Sequence, residues 1–243
     1  MDISLQLYSI KEETGKDFSG ALALVKRAGY QGVEFAGYCG KSPEAIKDLL
    51  AEHQLKAVSC HVGLDPLRQN LEGELRYLKV LGFSLIVCPW TDCGSKEAVL
   101  ETAAALEACA KRAADAGVTL GYHNHAHEFV QFEGRYAMDI LLEKAPSVKF
   151  QPDVFWIAHG GVDPVSYLKP LADAGRICAI HAKEIAKAGT ANVYVGQGRI
   201  DFKGLAALCS PAKYPYIVEQ EEYSGDHFEG IRESYLGLRQ VIG

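Results

Sequence analysis

Apolar and polar positions along this chain switch between two periods. Short apolar runs rich in β-branched and aromatic residues recur at Ile3 to Tyr8, Gly32 to Phe35, Ala57 to Val62, Leu85 to Trp90, Thr119 to Asn124, Lys149 to Val154, Ile177 to Lys183 and Tyr216 to Gln220. Each reads as a strand. Between them lie longer stretches with apolar residues at helical spacing, such as Leu22, Val25 and Ala28, or Ala104, Leu106, Ala110 and Ala113. The punctuation agrees: Ser42 followed by Pro43 marks a helix start, and Gly29, Gly82, Gly117 and Gly175 mark helix ends. Asp201 to Leu208 is short and weakly specified, so irregular structure is expected there.

Eight strand-helix units predict a (β/α)₈ TIM barrel, a single domain over residues 1–243, with its site at the C-terminal rim of the strands. A doubly wound open sheet is the alternative. No GxGxxG follows the first strand and no GxxxxGK[ST] occurs, so neither a dinucleotide fingerprint nor a P-loop supports it. At 48% hydrophobic residues, 243 positions suffice for one large core.

Charge and cysteine content narrow the function. A net charge of −6 provides no global field for phosphate backbones, which argues against nucleic acid as a partner. Seven scattered cysteines without a CxxC pair indicate neither a disulfide framework nor a zinc ribbon. The start, MDISLQLYSI, lacks a basic region followed by an apolar run, and no stretch reaches the ~18 apolar residues of a membrane span. The expectation is a cytoplasmic enzyme of small molecules with no membrane partner; a homo-oligomer is compatible with it.

The chemistry concentrates at Gly121 to Phe129, GYHNHAHEF, which holds His123, His125, His127 and Glu128. Imidazole and carboxylate donors suit a divalent cation, and histidine moves protons near neutral pH. A polar loop with ordinary surface histidines is the competing reading. The ends of other strands weigh against it, because Glu34, Asp153, His181 and Glu219 are embedded in the apolar runs GVEF, FQPDVFW, CAIHAK and YIVEQ. An unpaired charge there is costly, and convergence on one cation offsets the cost. By strand parity Glu219 and Glu221 share a face, as do His181 and Lys183, and His123 and His125. Glu219 is favoured as a ligand, with Glu221 as its neighbour. Glu128 lies past the strand and must fold back over the mouth to reach an ion, so His123 competes with it. GQGR at 196–199 offers a phosphate cradle, though a plain loop is the simpler reading.

These residues give a resemblance. QLYS at 6–9, GVEF at 32–35, SCHVGLD at 59–65, GYHNHAHEF at 121–129, PDVFWIAHGGVDP at 152–164, HAKE at 181–184, GQGRIDF at 196–202 and VEQEE at 218–222 together resemble the xylose-isomerase-like barrel superfamily. Within it the chain is similar to the branch of sugar phosphate isomerases/epimerases, related to inosose dehydratases and endonuclease IV. The resemblance implies a site for Mn²⁺, Co²⁺, Mg²⁺ or Zn²⁺ on Asp153, His181 and Glu219, plus a fifth-strand ligand, Glu128 or His123. The epimerases carry a glutamate where this chain has His123, and a substrate-binding histidine where it has Trp156. The HNHxxEF pattern points instead toward dehydratases and lyases of oxidised sugars or inositols.

The implied activity is metal-dependent isomerisation or epimerisation of a ketose, an inosose or a related sugar through an enediolate. Glu219, Glu128, His123 and His125 are the acid/base candidates, and Tyr8, Glu34, His61, Trp90, Trp156 and Lys183 the substrate contacts. A dehydratase or lyase is the alternative. A non-catalytic sugar-binding barrel and an endonuclease IV-like nuclease rank lower, the latter because of the acidic charge.

Overall fold

The computed structural model describes residues 2–243. Eight strands form one sheet: β1 (Ile3–Gln6), β2 (Gly32–Phe35), β3 (Lys56–His61), β4 (Leu85–Cys88), β5 (Thr119–His123), β6 (Lys149–Gln151), β7 (Ile180–Ala182) and β8 (Tyr216–Val218). Their order is β6-β5-β4-β3-β2-β1-β8-β7, with every neighbour parallel. Two isolated parallel bridges, Phe150 with Ile177 and Asp153 with His181, join β6 to β7 and close the ring. The fold is therefore the expected (β/α)₈ barrel rather than an open sheet.

The outer layer is α1 (Phe18–Ala28), α2 (Pro43–Glu52), α3 (Leu71–Leu81), α4 (Lys96–Asp115), α5 (Ala137–Lys144), α6 (Pro164–Asp173), α7 (Phe202–Leu208) and α8 (His227–Ile242). Side-chain caps start six of them, from Asp17, Ser42, Ser95, Asp163, Asp201 and Asp226. Gly29 and Gly82 end α1 and α3 in the left-handed region, at φ 111° and 78°. The irregularity expected at Asp201 to Leu208 does not occur. Asp201 accepts from the Gly204 amide at 2.9 Å, and burial of Phe202 and Leu205 holds the helix despite its weak pattern.

Several strands stop earlier than their apolar runs. Tyr8 falls in a 3₁₀ turn, Leu7–Ile10, and Val154 opens a short helix, Val154–His159. Two hairpins of two-residue strands, Gln131–Phe132 with Arg135–Tyr136 and Glu184–Ile185 with Asn192–Val193, are too short to leave a periodic signal. No helix among the described residues is long and apolar enough to cross a membrane.

The barrel lumen is layered. Leu85, Val87, Ala179 and Ile217, with Val58 and Cys178 against them, form an apolar plug separate from the main core between strands and helices. Side chains two apart share a face, so Ala179 sets His181 one layer above the plug and Ile217 does the same for Glu219. Gly121 leaves room for this packing, since a Cβ there would lie 3.0 Å from Cys178 Sγ. Its face-mate two residues on is His123.

Gly237 is inside α8, yet a Cβ would sit 1.8 Å from the Val195 carbonyl oxygen. Alanine normally gains ~1 kcal/mol over glycine in a helix. Backbone cannot yield as a flexible side chain does, so overpacking, which costs ~1–3 kcal/mol, wins. Gly237→Ala is expected to lower the urea midpoint of unfolding.

Candidate metal centre

Strand register assembles a polar layer above the plug. It pairs Gln6 with Glu34, Glu34 with Ser59, His123 with Gln151, and Asp153 with His181. His123, Asp153, His181 and Glu219 then offer ligand atoms that all lie within 4.8 Å of one another, and all four are buried. Asp153 is aimed by two contacts. Its Oδ1 accepts the Trp156 amide at 2.9 Å, capping the short helix, and its own amide donates to Asn124 Oδ1 at 2.9 Å. The other oxygen, Oδ2, has no hydrogen-bond partner, and neither has His123 Nδ1. Buried polar atoms are ordinarily paired, so two unpaired atoms in one four-residue group fit a role as cation ligands. Two imidazoles and two carboxylates are a donor set that suits Zn²⁺, Mn²⁺ or Co²⁺.

Electrostatics follow from burial and pairing. Burial pushes the Asp153 carboxyl up to about 7, against the pull of Lys183. Burial also presses on His181, but Glu34 and Glu219 outweigh it and raise the imidazole to about 10. His181 Nδ1 lies 2.8 Å from Glu219 Oε2, and its Nε2 lies 2.5 Å from Glu34 Oε1. Burial disfavours the Glu219 carboxylate, yet Lys183 and His181 hold its pKa well below the usual range. Lys183 is wholly buried, with Nζ 3.8 Å from Glu219 and 3.0 Å from Glu221, and with the Phe155 and Trp156 rings 5.0 and 4.8 Å away.

A cavity of about 390 Å³ opens above the group. Gln6, Tyr8, His61, His123, His125, Glu219 and Glu221 line it. His125 sits just past β5 with Nδ1 unpartnered, and burial lowers it to about 4, so it is neutral at pH 7. Asp153, His181 and Lys183 lie beneath. Trp156 packs 5.3 Å from His125 with its Nε1 unpartnered, and Phe155 is core. Trp90 is 57% exposed beside His127, outside the residues that line the cavity, next to Pro89, which does line it.

Two sequence expectations change. Glu128 does not fold back to the ion group. Tyr122 points to the outer face of β5, opposite His123, and its hydroxyl donates to Glu128 Oε1 at 2.8 Å while the His125 amide donates to Oε2 at 2.8 Å. Both oxygens are thereby held outside the barrel wall, and His123 takes the fifth-strand place in the group. Glu34 does not contact the cavity either, because it is fully buried with its oxygens taken by Gln6, Ser59, Gln151 and the two histidines. The cradle at 196–199 is occupied from within: Glu184 accepts from the Gly196 and Ile200 amides at 3.3 and 3.0 Å. Glu221 lines the cavity beside Glu219, as strand parity suggested, whereas sequence reasoning passed over Gln151 and Asn124 as supports. Gln151 and Asn124 stand in apolar runs as Asp153 does, and that signal could have found them.

Two outcomes are expected. His123→Ala should weaken Mn²⁺ or Zn²⁺ binding in a calorimetric titration, whereas Glu128→Gln should leave it within about twofold, a difference of ~0.4 kcal/mol. The second concerns pH. The folded chain holds the Asp153 proton more tightly than the unfolded chain, so that contribution to stability is full below the ordinary carboxyl range and is lost as pH rises through about 7. Asp153→Asn should therefore raise the Tm of ion-free protein more at pH 8 than at pH 5, while abolishing stabilisation by added Mn²⁺.

Comparison with known proteins places this geometry. No curated protein sequence matches the chain. Among solved structures, a sugar phosphate isomerase/epimerase from Parabacteroides distasonis is 22% identical with a TM-score of 0.84, covering 100% of this chain and 95% of that one. A zinc-bound IolI protein is 16% identical at a TM-score of 0.78, over 100% and 98% of the two chains. A D-allulose 3-epimerase from Methylomonas sp. is 17% identical at 0.73, over 99% and 97%. At these identities the likeness establishes the fold. Residues 22–241 match the family described as the xylose isomerase-like TIM barrel, and the chain belongs to that family.

Proposed function

We propose that this chain is a divalent-metal-dependent sugar isomerase or epimerase acting on a ketose, an inosose or a related sugar through an enediolate. The observation that carries the reading is the four-residue donor group with two unpartnered atoms beneath a cavity of small-molecule size. The zinc-bound IolI protein and the D-allulose 3-epimerase among its structural relatives support it. When bound, a divalent cation supplies positive charge to adjacent hydroxyl and carbonyl oxygens and favours the anion left by loss of the intervening proton.

The remaining work falls to the chain. Glu219 lines the cavity and is the carboxylate placed to accept the substrate proton. His125, neutral and facing the same space, is the partner in proton transfer. Tyr8 and His61 line the walls where sugar hydroxyls would lie. Lys183, below, fixes both Glu219 and Glu221 by charge.

One observation favours a second reading, a dehydratase or lyase of a keto-sugar. β5 brings imidazoles and no carboxylate to the cavity, so both cavity carboxylates come from the end of β8. One carboxylate that takes the carbon-bound proton and returns it to the departing oxygen, with the N–H of a neutral imidazole hydrogen-bonded to that oxygen, fits expulsion of a β-oxygen from the same anion. A panel of ketoses, inososes and 3-keto-glycosides with Mn²⁺ in D₂O, read by NMR, tests both. Deuterium next to the carbonyl in an isomer or epimer supports the first reading, and an unsaturated product the second. Glu219→Gln should lower turnover by about 10²–10⁴-fold in either case. No turnover across the panel would count against both.

A further inference from the structure

Below the donor group sits a carboxylate that reaches neither the cavity nor the group's open atoms. Glu34 takes hydrogen bonds from Gln6 Nε2 at 2.8 Å, Ser59 Oγ at 2.5 Å and Gln151 Nε2 at 2.7 Å. His61 Nε2 and His181 Nε2 approach its Oε1 at 3.0 and 2.5 Å. Five donors from β1, β3, β6 and β7 thus converge on one side chain of β2, which fits an ionised carboxylate and nothing that must itself donate.

That arrangement fixes hydrogens on the histidines. A carboxylate only accepts, so His181 Nε2 carries its hydrogen. His61 Nε2 carries one too, since it also faces Gln151 Oε1, an amide oxygen, at 2.8 Å. His181 Nδ1 faces a carboxylate too, so it also carries a hydrogen until a cation displaces it; the Nε2 hydrogen stays bonded to Glu34, and the lone pair offered to the cation is then on Nδ1. In His181, Nδ1 is the atom 2.8 Å from Glu219 Oε2 and 4.0 Å from Asp153 Oδ2, inside the donor group.

We propose that Glu34 is a positioning residue for the cation: it locks His181 as an Nδ1 ligand and strengthens that nitrogen as a donor, without touching the ion. This rests on the cation reading above. A carboxylate behind a ligating histidine fixes the tautomer and ring orientation and raises ligand basicity. Here the same carboxylate also ties five strands at one depth, so it sets the height of His181 above the plug as well as its hydrogen.

The test reads the ion and the tautomer separately. In ¹⁵N-histidine-labelled protein loaded with Zn²⁺, long-range ¹H–¹⁵N spectra should show His181 protonated on Nε2 with zinc on Nδ1; a proton on Nδ1 or zinc on Nε2 overturns the proposal. Glu34→Gln should bind Zn²⁺ about 10–100-fold more weakly by calorimetry. Wild-type affinity in that variant likewise overturns it. If the variant does not fold, the tautomer in the wild type decides. Wild-type protein that takes up no Zn²⁺, or His181→Ala that binds it equally well, instead removes the cation reading and this inference with it.

Discussion

Glu34, Asp153, His181, Lys183 and Glu219 are all buried in one barrel lumen. Moving any one of these charges there alone would cost several kcal/mol, and the fold is tenable because each faces an opposite charge or a hydrogen-bond donor. Lys183 stands between Glu219 and Glu221, and His181 between Glu34 and Glu219. Asp153 is the exception, with one oxygen tied to a helix start and one left over. The imbalance lies where a cation would sit, and the strained member of the network marks the site more sharply than the cavity does.

Geometry at this depth is set from underneath and from behind. The small apolar plug fixes which residues of β7 and β8 stand at the working height. Asn124 then clamps Asp153 through the Asp153 amide, and Lys183 holds the β8 end by charge. Loops contribute shape. Placing chemistry on strand ends and shape on loops is what lets one barrel host unlike reactions.

Much of this was legible in the chain. Strand positions follow from apolar runs, and Asp153, His181 and Glu219 stand out because a charge inside such a run needs company. What the sequence did not reveal is where each run stops being strand. β5 ends at His123, and the following turn carries Glu128 to the outer face of the wall, where the Tyr122 hydroxyl captures it. Periodicity names the face of Tyr122 but not the path of a loop that comes back to it. Glu34 posed a different difficulty: an embedded carboxylate looks the same in sequence whether it meets a ligand or a ring of protein donors. Only the register of five strands separates the two.

The junction between β6 and β7 is the one place where the wall has two isolated bridges instead of a continuous ladder. Asp153 and His181 stand on opposite sides of it, joined by one of those bridges. Backbone bonds from Phe150 to Arg176, Cys178 to Phe150 and His181 to Pro152 already hold the seam, and an ion on Asp153 and His181 would add a side-chain staple across it.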